Sequence, residues 1–195
     1  FITPEYEKYF QPDTPIKIPA RNLMFNGNTS NTIAVFHQTD SSCLRMLDSA
    51  YLYDPLLDEG SQRLIPMSDV SRIIPDPEPA SPDTDIFGPE PAHTWCYFFQ
   101  KADLSCQMKD WNKVIDLYRQ AEQLGFTPKY GAEYIPFIEA FAQTGDWQSA
   151  YDLTITAKEL SQQQKRMLCA NWYRFAELPS ADPRTIDRAA QDLPC

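Results

Sequence analysis

The sequence has 195 residues, of which 43% are apolar and 13% aromatic, enough to form the core of one ordinary domain or two small ones. Its formal net charge of −10 argues against nucleic acid or an anionic lipid surface as a partner, because both are bound through clustered Lys and Arg. No stretch approaches the roughly 20 apolar residues of a membrane-spanning helix, so we expect the chain itself to be soluble. Its start at Phe1 rather than Met suggests a piece of a longer protein.

Residues 1–73 are predicted to form a small, irregular α+β segment. The runs TIAVFH (32–37) and CLRMLD (43–48) contain β-branched or alternating apolar residues, and the QTDSS between them favours a turn, so we predict a short β-hairpin. IKIPARNLMF (16–25) is compatible with a further strand. DPLLDEG and MSDVSRII are expected to form single helical turns, the second with Ser68 as its N-cap.

A proline-rich stretch separates this segment from the rest of the chain. Residues 74–91 (IPDPEPASPDTDIFGPEP) contain six prolines, which fix φ and remove backbone N–H donors. Neither a helix nor a central strand is expected to persist there. We therefore predict a linker over 74–91 and a helical domain over 92–195.

The helical part contains a sequence repeat. KDWNKVIDLYRQAEQL (109–124) and GDWQSAYDLTITAKEL (145–160) match at positions 36 residues apart, including an aspartate followed by a tryptophan. The aspartate is expected to cap a helix N-terminus, and apolar residues at steps of three and four then form one stripe. An apolar helix precedes each copy, at 94–108 and 133–145, so the sequence predicts two helical hairpins.

A third hairpin is predicted at the end of the chain. Asp182 lies 36 residues after Asp146 and precedes Pro183, at a position where helices accept proline. The apolar run 163–178 supplies the first helix, and the short last helix is expected to cap the stack. The predicted fold class is mainly α, with helical-hairpin repeats of about 36 residues preceded by a small irregular α+β segment that contains a short β-hairpin.

The second helix of each hairpin resembles that of the tetratricopeptide repeat, which opens with Gly-Asp-aromatic and continues with small residues at fixed positions. The first helices fit poorly, because the usual small residue is Ala102 in one copy but Ile138 in the other. We therefore describe the repeats as tetratricopeptide-like. The copy that fits best does so at Gly145, Asp146, Trp147, Ala150, Ala157 and Leu160.

A narrower resemblance covers most of the chain. FNGNTSNTIAVFHQTDSSCLRMLD (25–48), FGPEPAHTWCYFFQKADLSCQMKDW (87–111) and EYIPFIEAFAQTGDW (133–147) are similar to the soluble C-terminal region of bacterial multipass membrane proteins, loosely described as glycosyltransferases that use lipid-linked sugars. The resemblance implies that the transferase chemistry lies in a membrane portion absent from this chain. It implies no catalytic residue here, and it places the domain on the extracytoplasmic side of a membrane.

The five cysteines show no C-x-x-C pair and no zinc-ligand spacing, and their odd number leaves at least one unpaired in a monomer. Buried thiols are the favoured interpretation. Disulfides in an oxidising compartment are the alternative, with Cys43 and Cys96 as a candidate pair. His93 near Cys96, and His37 near Cys43, are compatible with a metal site or a Cys-His nucleophile, but this spacing is unspecific. We predict no metal and no cofactor.

If the stack behaves like tetratricopeptide repeats, its first helices line a concave groove. The groove residues would be acidic or polar, which favours a basic or neutral peptide, although the same residues also fit an ordinary solvated face. The candidates are Asp103, Gln107, Glu139 and Gln143.

The sequence therefore predicts a noncatalytic protein-interaction or scaffolding domain, with a protein or peptide as partner. One alternative is a small thiol-dependent hydrolase or transferase that uses Cys96 or another thiol. Another is a carbohydrate-binding accessory domain that stacks sugars on tryptophan rings. Trp111 and Trp147 are expected in the core because they occupy equivalent repeat positions, which leaves Trp95 and Trp172 as candidates for stacking.

Overall fold

The computed structural model describes residues 7–38, 42–73 and 83–195. The predicted QTDSS turn therefore lies largely outside the described residues, as does the first half of the predicted linker. Within residues 7–38 and 42–73, a 3₁₀ turn at Lys8–Phe10 leads into two small β-hairpins.

Both hairpins are antiparallel. In the first, β1 (Pro15–Ala20) pairs with β2 (Leu23–Asn28), because Arg21 adopts a φ of 54° and reverses the chain between them. In the second, β3 (Val35–Phe36) pairs with β4 (Arg45–Met46). The hairpin predicted over 32–37 and 43–48 is confirmed, and the further strand suggested for 16–25 is a separate hairpin.

Short helical turns follow β4. A 3₁₀ turn at Ser49–Tyr51 precedes α1 (Glu59–Leu64), which is capped by Asp58, and a 3₁₀ turn at Ile65–Met67 follows it. The predicted N-cap role of Ser68 is wrong. Ser68 ends the Ile65–Met67 turn, and its Oγ accepts a hydrogen bond from Ala34 N at 3.0 Å, while Asp69 precedes the next turn, Val70–Arg72.

One helical turn does form within the predicted linker. Asp83 accepts a hydrogen bond from Asp85 N at 2.9 Å and starts α2 (Thr84–Phe87), which ends at Gly88 with a φ of 75°. A single turn is tolerated there because the next proline, Pro89, follows the helix end. The prediction that no helix forms within 74–91 is therefore wrong for this one turn.

Three helical hairpins build the C-terminal part, as predicted. Each pairs a leading helix with a following helix, and the hairpins stack in sequence order. They are α3 (Trp95–Gln107) with α4 (Trp111–Gln123), α5 (Ile135–Gln143) with α6 (Trp147–Leu160), and α7 (Lys165–Phe175) with α8 (Pro183–Asp192).

The three aspartates spaced 36 residues apart cap the second helices. Each carboxylate accepts a hydrogen bond from the backbone N–H three residues on, at 3.3 Å for Asp110, 3.1 Å for Asp146 and 3.2 Å for Asp182. The residue before the cap is left-handed in the first two copies, with a φ of 83° at Gly145 and 59° at Lys109. Glycine accepts this conformation freely, whereas a lysine there costs about 1 kcal/mol.

The repeat tryptophans pack into the core, and Trp147 also joins the second hairpin to the third. Trp147 is buried, donates from Nε1 to Ser180 O at 2.9 Å, and lies with its ring centroid 6.2 Å from that of Trp172. Trp111 is half-buried and packs against the core. The core placement predicted for both tryptophans is confirmed, more fully for Trp147 than for Trp111.

One hydrophobic core runs through the described part of the chain. Leu47 and Tyr51 from the N-terminal part are buried in the same cluster as Phe99, Phe137 and Phe175 of the leading helices. The part of the chain from Cys43 to Ile65 thus shares its core with the helical stack. Within the described residues, no helix combines the length and apolarity that crossing a membrane would require.

Candidate functional site

The predicted groove residues lie together, on α3 and α5. Asp103 and Gln107 from α3 line one small cavity with Glu139 from α5, and Gln143 forms a side-chain hydrogen bond with Glu139. The cavity is closed on its other side by residues of the N-terminal part, which also supply part of its lining. We call residues 42–57, which cover this face, the strap.

A disulfide holds the first end of the strap. Cys43 is bonded to Cys96 of α3, with 5.3 Å between their Cα atoms, and Cys169 is bonded to Cys195. The favoured interpretation of five buried thiols is therefore wrong for these four residues, and the named alternative pair is present. Cys106 is the one free cysteine, and it is half-buried.

A buried carboxylate holds the same end through the backbone. Glu133, in the 3₁₀ turn Gly131–Tyr134 ahead of α5, accepts hydrogen bonds from Cys43 N and from Trp95 Nε1, both at 2.8 Å. Burial raises the pKa of the Glu133 carboxyl, while these two donors act in the opposite direction. Oε1 thus holds the strap, and Oε2 ties the same turn to α3.

A buried ion pair holds the middle of the strap. Arg45 binds Asp54 through Nη1, and both side chains are fully buried. The guanidinium carbon of Arg45 lies 5.1, 5.5 and 5.2 Å from the ring centroids of Phe36, Tyr51 and Tyr130. These rings offer cation–π contacts to a guanidinium whose Nε and Nη2 have no hydrogen-bond acceptor among the described residues.

The second partner of Asp54 comes from the helical part. Tyr130, in the connection ahead of α5, donates its hydroxyl proton to Asp54 Oδ1 at 2.7 Å. Burial, and then the Asp54 carboxylate, raise the pKa of the Tyr130 hydroxyl, so this group stays a donor at neutral pH. The ion pair is therefore tied to the helical stack and is not confined to the strap.

Two further hydrogen bonds fix the strap beyond β4. Asn171 Nδ2 of α7 donates to Ala50 O at 2.8 Å, and the Tyr51 hydroxyl donates to Asp103 Oδ1 of α3 at 2.9 Å. The strap consequently crosses from the first leading helix to the third. Asp103 serves this internal contact, which the groove prediction did not foresee.

Three carboxyl groups where the strap meets the leading helices have raised pKa values. Burial raises the pKa of Asp103 to about 7, and it also raises the pKa of Asp48 and of Glu139, although Arg174 Nη2 lies 2.8 Å from Glu139 and partly offsets the effect. Burial followed by these carboxylates raises the pKa of the Cys106 thiol well above its ordinary value. A thiol kept protonated in this way is a poor nucleophile.

Cys96 and His93, the other candidates for catalysis or metal binding, are engaged in contacts within the protein. The sulfur of Cys96 is bonded to Cys43, and the ring of His93 stacks on Tyr97 at 3.5 Å and lies 2.8 Å from Glu90 Oε1. In the ranges 7–38, 42–73 and 83–195, no group of three or more His, Cys, Asp or Glu side chains could hold a metal ion. The His-Cys spacing in the sequence does not correspond to a described metal site.

The tryptophans offer no open platform for a sugar ring. All four lie in the described residues; three are buried, and Trp111 is half-buried. Trp95 donates to Glu133, and Trp172 donates from Nε1 to Thr154 Oγ1 at 3.0 Å. Trp95 and Trp172, the two candidates for sugar stacking, therefore both have hydrogen-bond partners within the protein.

Apart from the candidate pair Cys43–Cys96, the contacts that hold the strap were not predicted from the sequence. Buried and half-buried residues alternate from Cys43 to Leu47, and Arg45 occupies an inward position of this pattern. A charged residue at an inward position of a short apolar strand signals a buried ion pair. No comparable signal marks Asn171, because a polar residue in an amphipathic helix is ordinarily solvated.

Comparisons with protein-family models, with curated proteins and with solved structures found no match for this chain. The resemblances to tetratricopeptide repeats and to bacterial membrane glycosyltransferases therefore stay predictions. The geometry of the strap and of the face beneath it is what supports a function.

Removal of one partner of the buried ion pair is expected to be costly. Asp54→Ala leaves the Arg45 guanidinium buried without its counterion, so the free energy of unfolding should fall by about 3–5 kcal/mol. The double variant Arg45→Met/Asp54→Leu should recover part of this loss, because an apolar pair of similar size needs no counterion, while the Tyr130 hydroxyl and Leu56 N still lack the acceptor that Asp54 supplied. Guanidinium denaturation of the three proteins measures the difference.

The matched control is an exposed pair. Arg63 binds Glu7 through its guanidinium on the surface, and Arg63→Met should leave stability almost unchanged because solvent screens such pairs. A double variant no more stable than Asp54→Ala would contradict the account of the buried pair.

The raised pKa of Asp103 predicts a pH dependence of stability. The carboxyl titrates at about 7 in the folded protein and at about 4 in the unfolded chain. Between these values the folded state retains a proton that the unfolded chain releases, so stability is highest below about pH 4 and falls as the pH rises to about 7. The contribution is up to about 4 kcal/mol.

Asp103→Asn keeps an acceptor for the Tyr51 hydroxyl but removes the titration. Its free energy of unfolding, measured by urea denaturation across this pH range, should therefore decline less than that of the parent. Two parallel pH profiles would show that Asp103 is not protonated in the folded state.

Proposed function

We propose that this chain is a noncatalytic protein-interaction and scaffolding domain, belonging to the extracytoplasmic side of a larger bacterial membrane protein. The observation that carries the proposal is the strap itself, since the helical stack already holds a largely irregular polypeptide segment on the face formed by α3, α5 and α7. Its contacts include Asn171 Nδ2 with a strap carbonyl and Glu133 with a strap N–H. Such contacts belong to a surface that recognises polypeptide.

The closed face argues against a reaction centre at the perturbed carboxylates. The cavity that Asp103, Cys106 and Glu139 share has a volume of about 10 Å³, which is about the space of one water molecule. A substrate would have to displace the strap, which a disulfide and a buried ion pair hold in place. The thiol-dependent alternative gains no support, because Cys96 is oxidised and burial keeps Cys106 protonated.

The disulfides support an oxidising compartment. Cys43–Cys96 and Cys169–Cys195 join distant parts of the chain, and bonds of this kind persist outside the reducing cytoplasm. This agrees with the extracytoplasmic side implied by the resemblance to the soluble regions of membrane glycosyltransferases. In such a protein the domain would present a rigid surface beside a membrane-embedded enzyme.

The partner is proposed to be a protein or peptide of basic or neutral character. The strap occupies the concave face, so a partner reaches the helical stack on its outer surfaces. Leu124, Leu160 and Tyr173 are large apolar or aromatic residues there, 61%, 46% and 60% exposed. The net charge of −10 disfavours an acidic partner.

Site-specific photocrosslinking tests this function. A benzophenone amino acid in place of Leu124, Leu160 or Tyr173, in the full-length protein within its own cells, should give a discrete adduct with another protein at one or more of these sites. The adduct should be identifiable by mass spectrometry and absent without irradiation. Failure at all three positions, with the disulfides intact, would count against an interaction role for the helical stack.

A further inference from the structure

The first hairpin projects from the molecule with its apolar side chains exposed. The hydrophobic core contains none of residues 15–28. Ile18 pairs with Phe25, so the two lie on the same face together with Leu23, and these three side chains are 53%, 55% and 77% exposed. Two-stranded sheets are marginal in water by themselves, and this one carries an apolar face that the rest of the described chain leaves open.

The hairpin register decides which backbone groups point outward. Thr29 N donates to Thr14 O at 3.0 Å, and bonded and non-bonded pairs alternate along an antiparallel ladder. Counting from the pair Thr14 and Thr29, every second residue pair up to the turn is therefore hydrogen-bonded. The residues whose N–H and C=O positions face away from the ladder are Pro15, Lys17 and Pro19 on β1, and Met24, Asn26 and Asn28 on β2.

The two outer edges differ. On β1, two of the three outward positions are prolines, which lack an N–H, so only Lys17 can donate. On β2, all three outward residues have an N–H, and the strand LMFNGN carries no charge. Among the described residues, the one side-chain hydrogen bond to a backbone group of this edge is long, from Asn26 Nδ2 to Met24 O at 3.4 Å. The hairpin thus has one blocked edge and one edge that can accept a further strand.

We propose that the outer edge of β2 is a dimer interface, which pairs antiparallel with β2 of a second copy of this chain. A two-fold axis at Asn26 would set Asn26 opposite its counterpart, and Met24 opposite Asn28 of the other copy. The outward N–H and C=O groups of both strands then form a ladder. The product is a four-stranded sheet, which exceeds the minimum for independent stability.

The blocked edges explain why assembly stops at two copies. In the dimer, both outer edges of the four-stranded sheet are β1 strands, which Pro15 and Pro19 prevent from pairing further. Each copy contributes the same surface, as a two-fold interface requires, so the contact is closed and does not propagate into a fibre.

The charge distribution selects the same surface. The whole chain carries a net charge of −10, which repels a second copy, but residues 14–38 contain no Asp or Glu and only two charged side chains, Lys17 and Arg21. The facing β2 strands carry no charge at all. Two copies therefore meet with least repulsion along this strand, and their Leu23 and Phe25 side chains then share one continuous apolar face.

The dimer interface goes beyond the function proposed above, because the hairpin forms it without the concave face or any other partner. Sedimentation velocity across a wide range of protein concentration is the direct measurement. We expect a reversible equilibrium between a monomer of 22.4 kDa and a dimer. Asn26→Pro removes the central N–H donor from the β2 edge of both copies and leaves the hairpin ladder intact, so it should weaken the dimer at least about tenfold.

Lys17→Pro is the matched control, since it removes the equivalent N–H from the β1 edge and should change the dissociation constant less than about twofold. Asn26→Lys tests the interface without proline, because it sets two like charges directly opposite each other and should also dissociate the dimer. Asn22→Lys, which adds the same charge at the turn, should not. Circular dichroism confirms that each variant is folded.

Three results would overturn the dimer. One is a monomer at every concentration up to the millimolar range. Another is a dimer weakened by Lys17→Pro but not by Asn26→Pro. The third is a monomer that sediments with phosphatidylglycerol vesicles and loses this binding on Phe25→Lys, which would assign the apolar face to a lipid surface.

Discussion

A buried guanidinium must find its counterion within the protein, because an unpaired charge in the core would cost several kcal/mol. Arg45 meets this requirement at one place only, where Asp54 supplies the charge and Phe36, Tyr51 and Tyr130 surround the cation. Asp54 belongs to the strap itself, but Tyr130 belongs to the helical part, so the pair obtains its hydrogen bond from Tyr130 and one of its three aromatic neighbours only when the strap docks on the stack. The position of the N-terminal part follows from this constraint.

The docked strap changes what the helical stack can do. Tetratricopeptide-like hairpins are expected to offer an open concave face, but here Asp103 accepts a hydrogen bond from the strap tyrosine Tyr51 and Glu139 pairs with Arg174. Asp103, Glu139 and Gln143 are thus engaged within the chain, whereas the buried side-chain amide of Gln107 has no hydrogen-bond partner among the described residues. The consequence is a rigid domain that displays its outer surfaces and its exposed hairpin. The proposed interaction function and the proposed dimer both depend on those surfaces.

Local sequence patterns were enough to predict the helical hairpins. A period of 36 residues, an aspartate cap and a following tryptophan are all readable in sequence, and the caps at Asp110, Asp146 and Asp182 lie where they were expected. The N-cap of the turn was predicted at Ser68, one residue too early, because serine and aspartate are both favoured at this position and the sequence does not distinguish them.

The strap was not predicted because its contacts are long-range in sequence. Cys43 pairs with Cys96, 53 residues away, and Asn171 reaches Ala50 across 121 residues. Spacing alone does not distinguish such pairings from free thiols and solvated amides. The four groove candidates were correctly placed on the leading helices, but the sequence held no sign that the same chain covers them.

Native-state hydrogen exchange tests the dependence of the fold on the strap most directly. The amides of Cys43 and Leu47 are bonded to Glu133 Oε1 and to Ala34 O, both at 2.8 Å. If the strap is part of the cooperative core, their opening free energies should lie within about 1 kcal/mol of the slowest amides of α5. If strap amides exchange as fast as those of the exposed hairpin while α5 remains protected, the helical stack stays folded without the docked strap, and the account is contradicted.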